Sequence, residues 1–174
     1  MKTFLMLMTL CLYLIPIKGI AQLASSQDSL LNHLSGKWIL NGTIAGNQTT
    51  HDILSEWVLG HQYLQLTEVS HEKDLKGNPS YDAKVFITWN NKSNLYDCLW
   101  LDNTGNEGLR DGAVGHSEFR KDRLEFIFNA VDGSKFHTTF IYDKKADTWQ
   151  WLMDGEENNQ IQPFARLTLK RSNQ

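Results

Sequence analysis

The sequence predicts an all-β chain: an antiparallel, up-and-down barrel of about ten strands, preceded by one short helix. Three observations predict it. First, nearly everything after Gly36 alternates between apolar and polar residues, the period of a strand with one buried face. Second, the alternating runs are joined by short polar turns, and no segment of helical crossover length separates any two of them. Short links favour antiparallel neighbours. Third, that many strands in one open sheet would leave two bare edges, and closure into a barrel removes both. A two-sheet sandwich is the alternative.

The elements follow in order. Met1 to Ala21 reads as a cleavable export signal. Lys2 gives a positive start, Thr3 to Ile17 is almost wholly apolar or small, and Lys18-Gly19-Ile20-Ala21 supplies small residues before a cut ahead of Gln22. The apolar run is shorter than the roughly 20 residues a retained anchor needs, and Cys11 lies inside it rather than at a lipidation position. The expectation is therefore a secreted or periplasmic chain with no stable membrane anchor after cleavage. Residues 22–35 form an N-terminal segment, and residues 36–174 form the barrel domain. Ser26-Gln27-Asp28 offers caps, Leu30, Leu31 and Leu34 share a helical face, and Ser35-Gly36 stops the helix.

Strands are predicted at Lys37 to Ile44, His51 to Leu59, Tyr63 to Val69, Tyr81 to Trp89 and Leu95 to Leu101. Asn47-Gln48 and Asn90 to Ser93 are read as turns, and His71 to Ser80 as a loop. Leu109 to Phe119 is glycine-rich, with Gly112 and Gly115 marking a bend or bulge. Leu124 to Ala130 and Lys135 to Tyr142 flank Asp132-Gly133, a two-residue hairpin signal. Thr148 to Met153 and Gln162 to Arg171 complete the set.

Composition excludes several functions. Loss of Lys2 and Lys18 with the leader takes the net charge from −3 to about −5. No basic stripe exists to neutralise phosphates, so nucleic acid is not an expected partner. Of the two cysteines only Cys98 follows the leader, so no internal disulfide can form in the cleaved chain. It sits on an alternating stretch between Tyr96 and Trp100 and reads as a small buried hydrophobe.

Leu34-Ser35-Gly36-Lys37-Trp38 opens the first strand with a Gly-x-Trp arrangement. Trp57-Val58-Leu59-Gly60 with Tyr63-Leu64, Asn94-Leu95-Tyr96 and Trp100-Leu101-Asp102-Asn103-Thr104-Gly105 follow in order. From Leu34 to Thr168 this order resembles an uncharacterised family of secreted bacterial lipocalin-like domains, in the wider calycin group. The resemblance implies a barrel and an exported compartment, and no agreed activity. The chain is also distantly similar to the nitrobindin group of ten-stranded, haem-binding barrels. Ile161-Gln162-Pro163-Phe164-Ala165-Arg166-Leu167 resembles the segment that carries that group's iron-binding histidine, and the ligand position falls on Arg166. An arginine does not replace imidazole on haem iron, and no histidine follows His137, so no haem is expected.

Few residues form a chemical constellation. His33, His51, His61, His71, His116 and His137 are scattered, with no zinc spacing, so no metal is expected. No nucleophile elbow is present, and His116 beside Ser117 would point to the opposite face of a strand. Glu68 shares a face with Leu64 and Leu66. Burial there would need a partner, for which Arg166 is one candidate. Strand-borne aromatics are abundant. They read either as barrel core or as the lining of a cavity, since a barrel wider than eight strands leaves interior space. Alternation selects Trp57, Tyr63, Trp89, Trp100 and Phe128 as lining residues, with His116 and Arg166 as polar anchors, for a small, mostly apolar ligand. The competing classes are an isomerase, cyclase or hydrolase using His116, His137 or Glu68 as its acid or base, and a cavity-free envelope interaction module.

Overall fold

A computed structural model of the chain describes residues 29–104, 109, 112–118, 120 and 122–172. The predicted export signal, Met1 to Ala21, lies outside the described residues. The predicted architecture is present. One helix at 29–34 leads into β1 (Gly36–Ile44), β2 (Asn47–Val58), β3 (Tyr63–Ser70), β4 (Asp82–Asn90) and β5 (Leu95–Asp102). These are followed by β6 (Val114–Glu118), β7 (Arg123–Asn129), β8 (Lys135–Asp143), β9 (Thr148–Glu157) and β10 (Gln160–Arg171). Each strand lies antiparallel to the next, and β10 returns to β1, closing the barrel.

Closure fixes which side chains face inward. Leu40 lies opposite Leu169 on β10 and opposite His51 on β2. Leu64, Leu66, Val85, Ile87, Tyr96 and Cys98 continue the inner face on β3, β4 and β5, all fully buried. Burial holds the Cys98 thiol far above its ordinary range, so it is an inert core group.

The helix closes one end of the barrel. Its residues Leu30, Leu31 and Leu34 are buried against the core. The indole nitrogen of Trp38 donates to the Leu34 carbonyl at 2.7 Å, and that of Trp149 donates to the His33 carbonyl at 3.4 Å. These bonds satisfy carbonyls that a helix end leaves without internal partners. Arg171, at the end of β10, lies 3.7 Å over the Trp38 ring and donates to the carbonyls of Ser35 and His33. The last strand therefore latches the first segment.

Several boundaries differ from expectation. The first hairpin turns at Ala45-Gly46 (φ 48° and 80°), not at Asn47-Gln48. Left-handed backbone at both central positions matches the strand twist, and only Gly46 adopts it without steric cost. β9 and β10 run up to a tight turn at Asn158-Asn159 (φ 51° and 60°), where Asn tolerates that conformation. The Asp132-Gly133 loop is wider than two residues, closing between Ala130 and Ser134. The Leu109 to Phe119 strand is described as a strand only from Val114 to Glu118. In β10 the register shifts between Pro163 and Ala165, a bulge at a residue that has no N–H to give the ladder.

Candidate functional site

The barrel has two different ends, and its middle is filled. Trp38, Trp149, Trp151, Tyr96, Phe126 and Phe140 are fully buried, so most of the aromatic content is core. This splits the seven residues that alternation selects.

Trp57 and Trp89 face inward, but at the helix end. The Trp57 indole donates to Asn32 at 2.7 Å and stacks on His61, while Trp89 packs edge-on against Tyr96. Tyr63 adjoins the inward Leu64 and so faces outward. His116 is also outward and half exposed, its Nδ1 2.8 Å from Asp97. The neighbours of His116, Gly115 and Ser117, take the inner face. The Phe128 ring lies against Gly115, where a Cβ would come within 2.9 Å of it. Arg166 points outward to Asp154 and to the Met153 carbonyl, because the β10 bulge sets Ala165, Leu167 and Leu169 inward. Of the seven, only Trp100 and Phe128 meet away from the helix, with ring centroids 6.5 Å apart. His137 is outward as well, its Nε2 2.7 Å from Glu156. That bond, with one from Lys135, holds the Glu156 carboxyl below its ordinary range.

At the end opposite the helix, the mouth, there is a cleft of about 390 Å³ lined by Gly112, Phe128, Phe136, Gly155, Lys135 and Glu156 among others. Phe128 and Phe136 give it an apolar floor. Behind Phe128 stand Trp100 and then Trp151, with centroids 5.5 Å apart. Phe136 packs edge-on against Phe164, which the bulged stretch of β10 carries. The rim is polar: Lys135 Nζ is 3.0 Å from Glu156 Oε1.

A second feature of the same end was not predicted as a pair. His51 and Glu68 are both buried, with His51 Nδ1 2.5 Å from Glu68 Oε1. His51 Nε2 lies 2.7 Å from Thr49 Oγ1, and that hydroxyl donates to the exposed Glu72 carboxylate at 3.0 Å. Tyr81 stacks on the His51 ring and receives the Trp100 indole N–H at 3.1 Å. Desolvation pushes the Glu68 carboxyl above its ordinary range. His51 pulls it down and Asp102 pushes it up, and burial dominates. The Tyr81 hydroxyl is likewise raised by burial, then by Glu68 and Asp102, and stays protonated.

The sequence offered Arg166 as a partner for Glu68, and the structure pairs it with His51 instead. The signal that identifies the pair is the turn at Leu59 to Gln62. With that turn in place His51 falls opposite Ser70, one inward step from Glu68.

Among the described residues no group of three or more His, Cys, Asp or Glu side chains could hold a metal ion. The Arg166 side chain lies on the outer wall, paired with Asp154. No family model and no curated protein matches the chain.

Proposed function

We propose that this chain is an exported, lipocalin-like barrel that holds a small, mostly apolar molecule at its mouth. The mouth cleft carries the reading. Its volume of about 390 Å³ falls in the range of small-molecule sites, which pair apolar walls with a few polar groups. Phe128 and Phe136 supply the walls, and Lys135, Glu156 and Gln162 the polar groups. The closed ten-stranded meander supports the resemblance to secreted lipocalin-like domains. The composition of Met1 to Ala21 supports export.

The test uses a neutral apolar dye, N-phenyl-1-naphthylamine, whose fluorescence rises in apolar surroundings. Saturable binding is expected. Gly155 lines the cleft, and a Cβ there would meet only the Gln162 carbonyl, at 3.9 Å. Gly155→Leu should therefore fill the cleft without disturbing the barrel and weaken dye binding by about ten-fold or more. Unchanged binding in a folded Gly155→Leu protein would remove the cleft from consideration. Native mass spectrometry of protein purified from its own source identifies the natural occupant by its mass.

A further inference from the structure

The His51–Glu68 pair does more than neutralise two buried groups. Hydrogen-bond accounting fixes the direction of the chain from Glu72 as far as His51 Nε2. The Glu72 carboxylate only accepts, so Thr49 donates to it. Thr49 Oγ1 must then accept from His51, which places a proton on Nε2. With Nε2–H in place, a neutral imidazole accepts at Nδ1 from the acid form of Glu68, and an imidazolium donates there to the carboxylate. Burial of Glu68 favours the acid form. Its second oxygen, Oε2, is then a carbonyl-type acceptor. It is buried and has no hydrogen-bond partner among the described residues. Should the proton move to the histidine instead, Oε2 becomes a carboxylate oxygen and is still an acceptor.

Glu68 also stands in the right place. It shares the inner face of β3 with Leu64 and Leu66. The strand register sets it level with Ala83 and, one strand further, with Asp102. Among the described residues the groups facing it are His51 from β2, Tyr81 ahead of β4, and Asp102 on β5, with Glu72 beyond Thr49. Of these, only His51 can carry a positive charge. The carboxyl groups disfavour an anion there and burial disfavours a cation, which leaves an uncharged donor. A buried acceptor left without any partner costs about 1–3 kcal/mol, so Oε2 is expected to take a donor.

We propose that Glu68 Oε2 is a ligand anchor inside the barrel that accepts a hydrogen bond from an uncharged hydroxyl, of an alcohol or a phenol, while His51, Thr49 and Glu72 fix it as an acceptor. No step transfers the proton away from the ligand, so the site binds and orients rather than reacts. This anchor does not depend on occupancy of the mouth cleft.

The test compares phenol with anisole, the same ring with the hydroxyl hydrogen replaced by methyl. Binding is read from the ring nitrogen signals of His51 by NMR, a probe local to the anchor. Phenol should shift these signals saturably. Anisole should bind about ten-fold more weakly or not at all, the cost of one buried hydrogen bond. Glu68→Gln preserves the arrangement, because its amide N–H can donate to His51 Nδ1 and its carbonyl can take the place of Oε2. Phenol binding should survive in Glu68→Gln within about three-fold and vanish in Glu68→Met, with circular dichroism confirming the fold of each. Equal binding of phenol and anisole, absence of phenol binding, or loss of binding in folded Glu68→Gln would each overturn the proposal. If Glu68→Met does not fold, the phenol–anisole ratio and the Glu68→Gln result still decide it.

Discussion

The two ends of this barrel use the same strands for opposite purposes. At the helix end, three polar groups point at backbone carbonyls: the indoles of Trp38 and Trp149 and the guanidinium of Arg171 all tie the residues 33–35 segment down. At the mouth, Phe128 and Phe136 floor a cleft and a buried carboxyl keeps an oxygen without a partner among the described residues. The helix end is closed mainly by bonds and packing, though Ser55 Oγ, opposite Gly36, is buried there without a partner among the described residues. The mouth combines its unpartnered oxygen with an open cleft, and features that cost stability collect where a molecule is bound. The difference teaches that most of the aromatic wealth of this chain is structural. The functional reading rests on the few groups at the mouth.

The largest expected effect lies at the closed end. Trp38 is fully buried under Arg171 and bonded to Leu34. Trp38→Ala should cost about 3–5 kcal/mol of stability, read as a fall in the urea midpoint. If the ends are as separate as the geometry implies, the folded fraction of that variant keeps its phenol response at His51. A lost response would mean that the helix end also shapes the mouth.

Next in size is His51→Leu. It leaves Glu68 without its hydrogen-bond partner inside the barrel. That should cost about 2 kcal/mol, measured by the same unfolding curve. A cost near zero would mean that Glu68 finds another partner, and the accounting at the mouth would fail. Arg171→Gln is smaller. It removes the cation over Trp38 and weakens the bond to Asp147 at 3.0 Å, and about 1 kcal/mol is expected for a partly exposed cation–π contact. The Arg171→Gln loss should appear in the thermal midpoint and leave dye binding at the mouth unchanged.

The two ends were not equally legible in the sequence. The helix end was readable because it follows periodicity. Leu30, Leu31 and Leu34 at helical spacing and the alternating strands after Gly36 both report burial, and burial is what packed them. The mouth depends on offsets that periodicity does not carry. The bulge at Pro163 resets the phase of β10 and turns Arg166 outward. Gly115 gives the inner face to Phe128 and so sends His116 to solvent. A phase change of one residue reverses a side chain completely, so the polar anchors read from alternation landed on the wrong face. Alternation does identify Glu68 as a strand-borne acid that needs a partner. Its partner lies across a hairpin, and that register is set by a turn whose residues Leu59, Gly60 and His61 all carry positive φ, which the alternating pattern does not encode.

The smallest effect bears most directly on the mouth, because it reports the protonation of Glu68 in the folded chain. Burial holds that carboxyl above its ordinary value of 4.5. Between that value and the higher folded one, the folded chain keeps a proton that the unfolded chain has released. The stability contributed by Glu68 is therefore fully present below about 4.5 and is lost as pH rises through the folded value. Glu156 runs the other way: its depressed carboxyl contributes above the unfolded range and loses that contribution as pH falls. Glu68→Gln removes only the first of these. Thermal midpoints of wild type and Glu68→Gln, measured from about pH 4 to pH 8, should show the same loss on the acid side. Toward the alkaline side the variant should gain progressively on wild type. Parallel curves across the whole range would mean that Glu68 titrates alike folded and unfolded, and the acid form invoked at His51 Nδ1 would have to be abandoned.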